Sequence, residues 1–361
     1  MNKQKEMTAF ISSVGADERQ PLDVSNNSIS EKAGKINELE TISMTELYDT
    51  VYPSKPPLID GLLYTGTYLF VGAPKLGKSF LMAQLAYHIS TGTPLWDYTV
   101  RKGTVLYLAL EDDYRRLQER LYRMFGTDST DNLFFSVSAG SLGNGLDAQL
   151  QRFMQEHTDT SLIIIDTLQK VREVGGDNYS YANDYEIITR LKQFADRYGI
   201  CILLVHHTRK QTADDKFDMI SGTTGLLGAA DGAFLLAKEK RTSNAATLEV
   251  SGRDQQDQKL YLNRNIETLL WELERTETEL WKEPPDPLIK KIVQLLSSGS
   301  NEWAGTPTEL CSILQLDIQP NALTRKLNIN AGRLLNEYKI FYENSRSRNE
   351  RKVKLSRLEQ A

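Results

Sequence analysis

Apolar residues along this chain fall into two kinds of pattern that alternate. Thr67–Val71, Val105–Leu110, Leu162–Ile165 and Cys201–Val205 are short continuous apolar runs, and Leu133–Val137 is a weaker one. Runs of this length without polar interruption predict strands buried on both faces. Between them, Phe80–Ser90, Tyr114–Phe125, Leu146–Glu156 and Tyr185–Tyr198 carry apolar residues at helical spacing. Strands separated by amphipathic helices predict an α/β core: a mostly parallel sheet with helices on both faces. Gly232–Ala237, Ala246–Ser251 and Lys259–Leu262 follow at short intervals, too close for crossover helices. They predict antiparallel strands at one edge of the same sheet.

The ends of the chain break this rhythm. Residues 1–45 are polar and rich in Ser, Asn, Glu and Lys, a composition that predicts a disordered arm. A short helix near Ile36–Leu39 and a structured connection from Thr45 to Pro57 are further expectations. Glu283-Pro284-Pro285-Asp286-Pro287 is the strongest interruption after the sheet region. The expected organisation is therefore an arm at 1–45, a core at 46–282, a linker at 283–287 and a small domain at 288–361. In that last domain Leu288–Leu296 and Asn321–Tyr338 read as helices. Thr306-Pro307-Thr308-Glu309 opens another, with Thr306 as N-cap and Glu309 closing a capping box. Ile340–Tyr342 and Val353–Leu355 flank a basic stretch and read as a hairpin. Three helices and a basic hairpin predict a winged-helix domain.

Composition changes the picture in three places. The 361 residues carry a net charge of −5. Pro287–Ala361, however, holds 12 Lys/Arg against 7 Asp/Glu, so the C-terminal region is basic and suited to nucleic acid. No stretch approaches the length of a membrane span, and Met1–Ile11 is too polar for a secretory signal, so no membrane partner is expected. Cys201 and Cys311 are far apart and read as buried thiols in a reducing, cytoplasmic setting.

The chemistry is concentrated after the first strand, in Gly72-Ala73-Pro74-Lys75-Leu76-Gly77-Lys78-Ser79. Strand, G-x-x-x-x-G-K-S and helix together specify a phosphate cradle. Glycines let the backbone N–H groups curl toward an anion, and the helix N-terminus adds its dipole. Lys78 would reach the β- and γ-phosphates of ATP, Ser79 would ligate Mg²⁺, and Phe80 closes the cradle. Asp166 ends the third of the long apolar runs and is the expected second Mg²⁺ anchor. Glu111 ends the second and is the expected water-polarising acid, although Asp112 and Asp113 follow directly. His206 and His207 end the fourth. Neighbours on a strand face opposite ways, so one of them, contacting the γ-phosphate, is expected rather than a shared metal.

In this order G-A-P-K-L-G-K-S, L-Y-L-A-L-E, L-I-I-I-D and L-L-V-H-H-T-R-K resemble the RecA-like ATPases, and within them the RepA-like and DnaB-like hexameric replicative helicases. The resemblance runs from about Leu58 to Leu273. It implies catalytic roles for Glu111 and Lys78, a sensor at His206 or His207, and an arginine donated by the neighbouring subunit. Arg253 in Val250-Ser251-Gly252-Arg253-Asp254 matches that arginine, while Ser251 stands where relatives carry a lysine. It further implies single-stranded DNA in a ring channel, touched by segments Arg172–Asp184 and Arg209–Gly222. Arg172, Arg209, Lys210 and Lys216 are the phosphate-contact candidates, and Tyr179 and Tyr181 the stacking ones. The tail resembles winged-helix ends of RepA-like ATPases on mobile elements, with Arg325, Lys326, Arg333, Arg346, Arg348, Arg351 and Lys352 toward duplex DNA. The implied protein is a cytoplasmic, Mg²⁺-dependent, hexameric DNA motor; an ATP-switched DNA-binding regulator or loader is the alternative.

Overall fold

A computed structural model describes residues 39, 41–52, 56–172, 181–208, 224–238, 240, 242–253, 255–277, 286–298, 301–346 and 351–358. The expected arm, apart from its last residues, lies outside them, as do most of both channel segments, the Pro-rich linker up to Pro285 and the tip of the basic hairpin. The chain divides into two units, Met1–Thr50 and Val51–Ala361.

In the first unit a six-residue helix, α1 (Met44–Asp49), starts at Ser43. Ser43 and Glu46 cap it reciprocally, the side chain of each accepting from the other's backbone N–H. The helix therefore has a sequence-encoded start inside what composition alone assigns to arm and connection.

The second unit is built on a nine-stranded sheet of order β3-β2-β4-β5-β1-β6-β7-β8-β9. Its parallel half comprises β1 (Gly66–Gly72), β2 (Thr104–Ala109), β3 (Leu133–Ser136), β4 (Thr160–Asp166), β5 (Cys201–His207) and β6 (Gly232–Ala237). Every residue of β1, β2 and β4 is buried, as continuous apolar runs require. α2 (Lys78–Thr91), α3 (Tyr114–Phe125), α4 (Leu146–Glu156), α5 (Tyr181–Tyr198) and α6 (Thr224–Ala229) supply the covering layers. Two separate apolar clusters result, one on each face: Phe70, Leu81, Tyr107 and Ile164 belong to one, and Leu69, Ile163, Leu191 and Leu204 to the other. Alternate residues of a strand thus feed opposite cores.

The remainder is antiparallel: β7 (Ala245–Gly252), β8 (Gln258–Arg264) and β9 (Trp271–Glu277). β7 and β8 show alternating burial, the mark of a sheet with one covered face. β9 was not among the expected strands, because only its first residue is buried and the rest is largely polar and exposed.

Residues 287–358 form α7 (Pro287–Ser298), β10 (Glu302–Gly305), α8 (Pro307–Ile313), α9 (Pro320–Tyr338), β11 (Ile340–Arg346) and β12 (Arg351–Arg357). Their three-stranded antiparallel sheet has the order β10-β12-β11, and the apolar side chains of helices and strands make a cluster of their own. The capping box at Thr306 and Glu309 is present. β10 escapes pattern reading because it is four residues long and only half-buried.

One partly buried ion pair fixes how β1 enters the sheet. Asp231, just before β6, accepts the Thr67 N–H on one carboxylate oxygen (2.9 Å) and the Lys192 ammonium on the other. Gly66 lies directly beneath, at φ 127°, and a Cβ there would stand 2.7 Å from the same carboxylate. Gly66→Ala should therefore cost about 1–3 kcal/mol, through the backbone conformation and the displaced carboxylate together, measurable as a lowered urea midpoint at unchanged slope.

Candidate nucleotide site

The phosphate loop leaves β1 at Gly72, where a side chain would not fit: a Cβ would lie 2.6 Å from the Leu236 carbonyl oxygen of β6. Lys75 and Gly77 both take positive φ, 65° and 100°, and curl the backbone into a concave turn before α2 begins. Such a turn aims successive N–H groups at one point, and the N-terminus of α2 faces the same way. The helix begins at Lys78 itself, two residues before the apolar pattern becomes visible at Phe80.

Lys78 is buried, and its ammonium donates to the carbonyls of Gly72 (2.8 Å) and Ala73 (3.0 Å) and to His207 Nδ1 (3.2 Å). Burial pulls its pKa from 10.5 down to about 8, against the opposing pull of Asp166 and Glu111. Burial and the Lys78 charge hold the His207 pKa below its ordinary value. The sequence left open which histidine faces the loop. Of the two, it is His207 that meets Lys78; His206 precedes it on β5 and is buried on the other side of the strand.

Asp166, at the end of β4, is buried and receives hydrogen bonds from the Tyr107 hydroxyl (2.9 Å) and from Ser79. Desolvation raises its pKa despite those two bonds. A buried carboxylate joined to the Ser79 hydroxyl gives two hard oxygen donors side by side. That set fits Mg²⁺, which takes one or two protein oxygens and completes its shell with phosphate and water. Among the described residues no group of three or more His, Cys, Asp or Glu could hold a metal ion by itself.

The three consecutive acids after β2 separate cleanly. Asp112 is paired with Arg120 (2.7 Å) and Arg116 (3.6 Å) on α3. Asp113 is the N-cap of α3 and accepts from the Arg116 N–H (2.9 Å). Glu111 alone turns toward the loop: it accepts from the Thr167 hydroxyl (3.1 Å) and acts electrostatically on Lys78, Asp166 and His207.

Several neighbours carry no motif. Tyr107 holds Asp166, and Thr167 holds Glu111. Phe80, first after the G-K-S triplet, carries the Arg264 guanidinium 4.1 Å from its ring centre and that of Arg120 at 5.0 Å. Only alternation on β2 and β4 hints at Tyr107; Arg264, more than 180 positions beyond Phe80, has no sequence signal.

Arg253 is elsewhere. It follows β7, whose Gly252 pairs with Gly232 at the start of β6, which pairs in turn with Tyr68 on β1. The phosphate loop leaves from Gly72, four residues further along β1, so Arg253 sits at the opposite end of the strands from Lys78. Its guanidinium is exposed and donates to the Gly228 carbonyl (2.8 Å). Arg172 departs from the expectation of a phosphate contact in a polar loop: it is buried and ion-paired with Asp184 (2.8 Å). An arginine directly after the buried Val171 is drawn inward when a carboxylate can neutralise it there.

The family described as AAA domain matches residues 36–213, just short of half the chain. No curated protein matches. Among solved structures, the ATPase domain of the protein G40-P superposes with a TM-score of 0.51 at 13% identity, covering 69% of this chain and 99% of its own. The two share a fold. A DnaB-like replicative helicase, solved in connection with its interactions with primase, matches at TM-score 0.47 and 15% identity over 74% of this chain and 70% of its own. A KaiC-like protein from Pyrococcus horikoshii OT3 matches at 0.43 and 13%, over 62% and 99%. Among the described residues no helix is long and apolar enough to cross a membrane.

The depressed Lys78 pKa has a testable sign. Between pH 8 and 10.5 the unfolded chain binds the proton that the folded chain has shed, so the penalty of burying the ammonium is relieved as pH rises. The stability of wild type relative to Lys78→Met should rise through that window, by at most about 1.4 kcal/mol per pH unit. Urea unfolding of both proteins at pH 7 and pH 9.5 measures it.

Proposed function

We propose that this chain is a Mg²⁺-dependent ATPase that assembles into a ring, a hexamer by its resemblance to RepA-like and DnaB-like proteins, and acts on DNA as a replicative helicase of a plasmid or mobile element. The observation carrying the reading is the convergence of Lys78, Asp166, Glu111 and His207 at the carboxyl ends of four neighbouring parallel strands. Ligands of open α/β sheets bind at that edge.

In this reading the loop N–H groups and Lys78 bind the β- and γ-phosphates of ATP, with Gly72, Ala73, Pro74, Lys75, Leu76, Gly77, Ser79 and Phe80 shaping the cradle. Ser79 and Asp166 hold Mg²⁺, which would neutralise charge that develops on the phosphate oxygens. Glu111, oriented by Thr167, accepts a proton from the attacking water. His207 touches the same ammonium that touches the γ-phosphate, so it registers whether that phosphate is present and passes the difference to β5. Arg253 cannot reach this chain's own loop. Exposed at the far end of the strands, it suits a site completed by a second copy, as an arginine finger in trans.

The C-terminal region supports DNA binding. Its order, helix, strand, two helices and a two-stranded hairpin, fits the winged-helix reading, in which the last helix enters a groove and the hairpin lies on the backbone. The last helix here, α9, carries Arg325, Lys326 and Arg333, and the hairpin carries Arg351, Lys352 and Lys354. Arg333 also pairs with Glu337 (3.1 Å). A DNA-binding tail on an ATPase equally serves a regulator or loader whose output is the nucleotide state rather than unwinding.

Turnover measured with and without single-stranded oligonucleotide, beside displacement of a forked duplex, separates the two. The motor reading expects stimulated hydrolysis and displacement, both abolished in Glu111→Gln by about 10²-fold or more while ATP binding persists. Unstimulated turnover without displacement would leave the regulator. Normal turnover in Glu111→Gln would remove the assigned acid.

A further inference from the structure

The antiparallel edge of the sheet touches the phosphate loop through two residues, Arg264 at the end of β8, which lies against Gly77 and Phe80, and Trp271 at the start of β9. Trp271, the first residue of β9, is fully buried, and its indole Nε1–H donates to the Gly77 carbonyl (3.3 Å). Its Cζ2 stands 3.2 Å from where a Cβ on Gly77 would lie. The two residues are 194 positions apart in sequence. Trp271 is itself held from the other side by the loop's own helix. Gln84, buried on the second turn of α2, accepts from the Trp271 N–H (2.8 Å) and donates to the Trp271 carbonyl (2.9 Å). The Trp96 indole donates to the same carbonyl (2.6 Å). Gln84 therefore pairs with Trp271 as a neighbouring strand would, and the tryptophan side chain returns to the loop six or seven residues upstream.

The bond falls on the peptide that matters most. In a trans peptide the C=O and the next N–H point in opposite directions. Fixing the Gly77 carbonyl toward Trp271, where it also receives the Phe80 and Leu81 N–H groups (3.2 Å each), aims the Lys78 N–H out of the helix end and into the concave loop. Gly77 has no side chain to restrain it and stands at φ 100°, so the orientation is held by the helix's own first N–H groups together with the Trp271 indole.

We propose that Trp271 and Gln84 form a clamp that aims the Lys78 N–H at the bound phosphates, making both of them positioning residues for nucleotide binding. This rests on the reading of residues 72–79 as the ATP phosphate site. The clamp acts on ground state and transition state alike, since the phosphate it addresses is bound in both. Its loss should therefore weaken binding and leave the chemical step alone.

Trp271→Phe keeps the ring and removes the N–H. Calorimetric titration with Mg-ADP should show a Kd raised roughly three- to tenfold, the size of one hydrogen bond. The KM for ATP should rise by the same factor at a kcat within about twofold of wild type. Gln84→Met, which touches no nucleotide, should produce a loss of the same kind. The double variant should lose no more than the worse single one, because both act through one clamp. ADP affinity equal to wild type in Trp271→Phe, or losses that multiply in the double variant, would overturn the clamp. Should Trp271→Phe melt at a much lower temperature, Gln84→Met carries the same expectation and the same power to refute. A wild-type chain that binds no ADP would remove the phosphate-site reading, and the clamp with it.

Discussion

The constraint on which the site depends is the burial of one ammonium group. Taking Lys78 out of water costs free energy, and its lowered pKa records that cost. Two loop carbonyls and an imidazole nitrogen surround the group, with Asp166 and Glu111 acting from further off. None of these is paired with it as a contact ion pair. The result is a partly compensated cation at the mouth of a turn whose N–H groups and helix dipole also favour negative charge. An anion bearing several charges is the natural complement, and a triphosphate with its metal is one. The parallel sheet makes this possible, because it alone brings the ends of β1, β2, β4 and β5 to one edge with all four strand bodies buried.

The antiparallel half of the sheet has a different task. It contributes none of the four residues that converge on the ammonium. Through Trp271 it braces the loop from behind, and through the β6–β7 pairing it carries Arg253 to the opposite end of the strands. Asp231 ties these ends together: it receives the Thr67 N–H on its side chain and the Arg253 N–H on its backbone carbonyl. The entry of β1 and the base of Arg253 thus share one residue. In the ring reading, a subunit offers its cradle on one side and its arginine on another, and neither half is sufficient.

Much of this was legible in the sequence wherever the information is local. The phosphate loop is eight contiguous residues. Asp166 and Glu111 sit at the ends of apolar runs, and strand ends are easy to see in a parallel sheet. The alternating runs gave the sheet and its antiparallel edge. What escaped is long-range or lies on a polar background. Trp271 reads as an ordinary aromatic, since its partner lies 187 residues away in Gln84. β9 and β10 carry too few apolar residues to stand out from their polar surroundings. The choice of His207 over His206, and of Glu111 over Asp112 and Asp113, turned on side-chain partners that pattern alone does not contain. Arg172 looked like a loop cation because nothing in the sequence announces its pairing with Asp184.

The claim that reaches furthest is that one chain's arginine completes another chain's site, and mixing two inactive variants tests it most directly. Arg253→Ala should bind ATP but hydrolyse it slowly, by roughly 10³-fold if the arginine is a finger. Lys78→Ala should lose the cradle. Combined before assembly, the two give interfaces that pair an intact loop with an intact arginine, which neither pure assembly contains. Recovery of hydrolysis in the mixture is the predicted result. No recovery, with mixed assemblies verified by mass, would contradict the account and leave Arg253 a structural residue of its own chain.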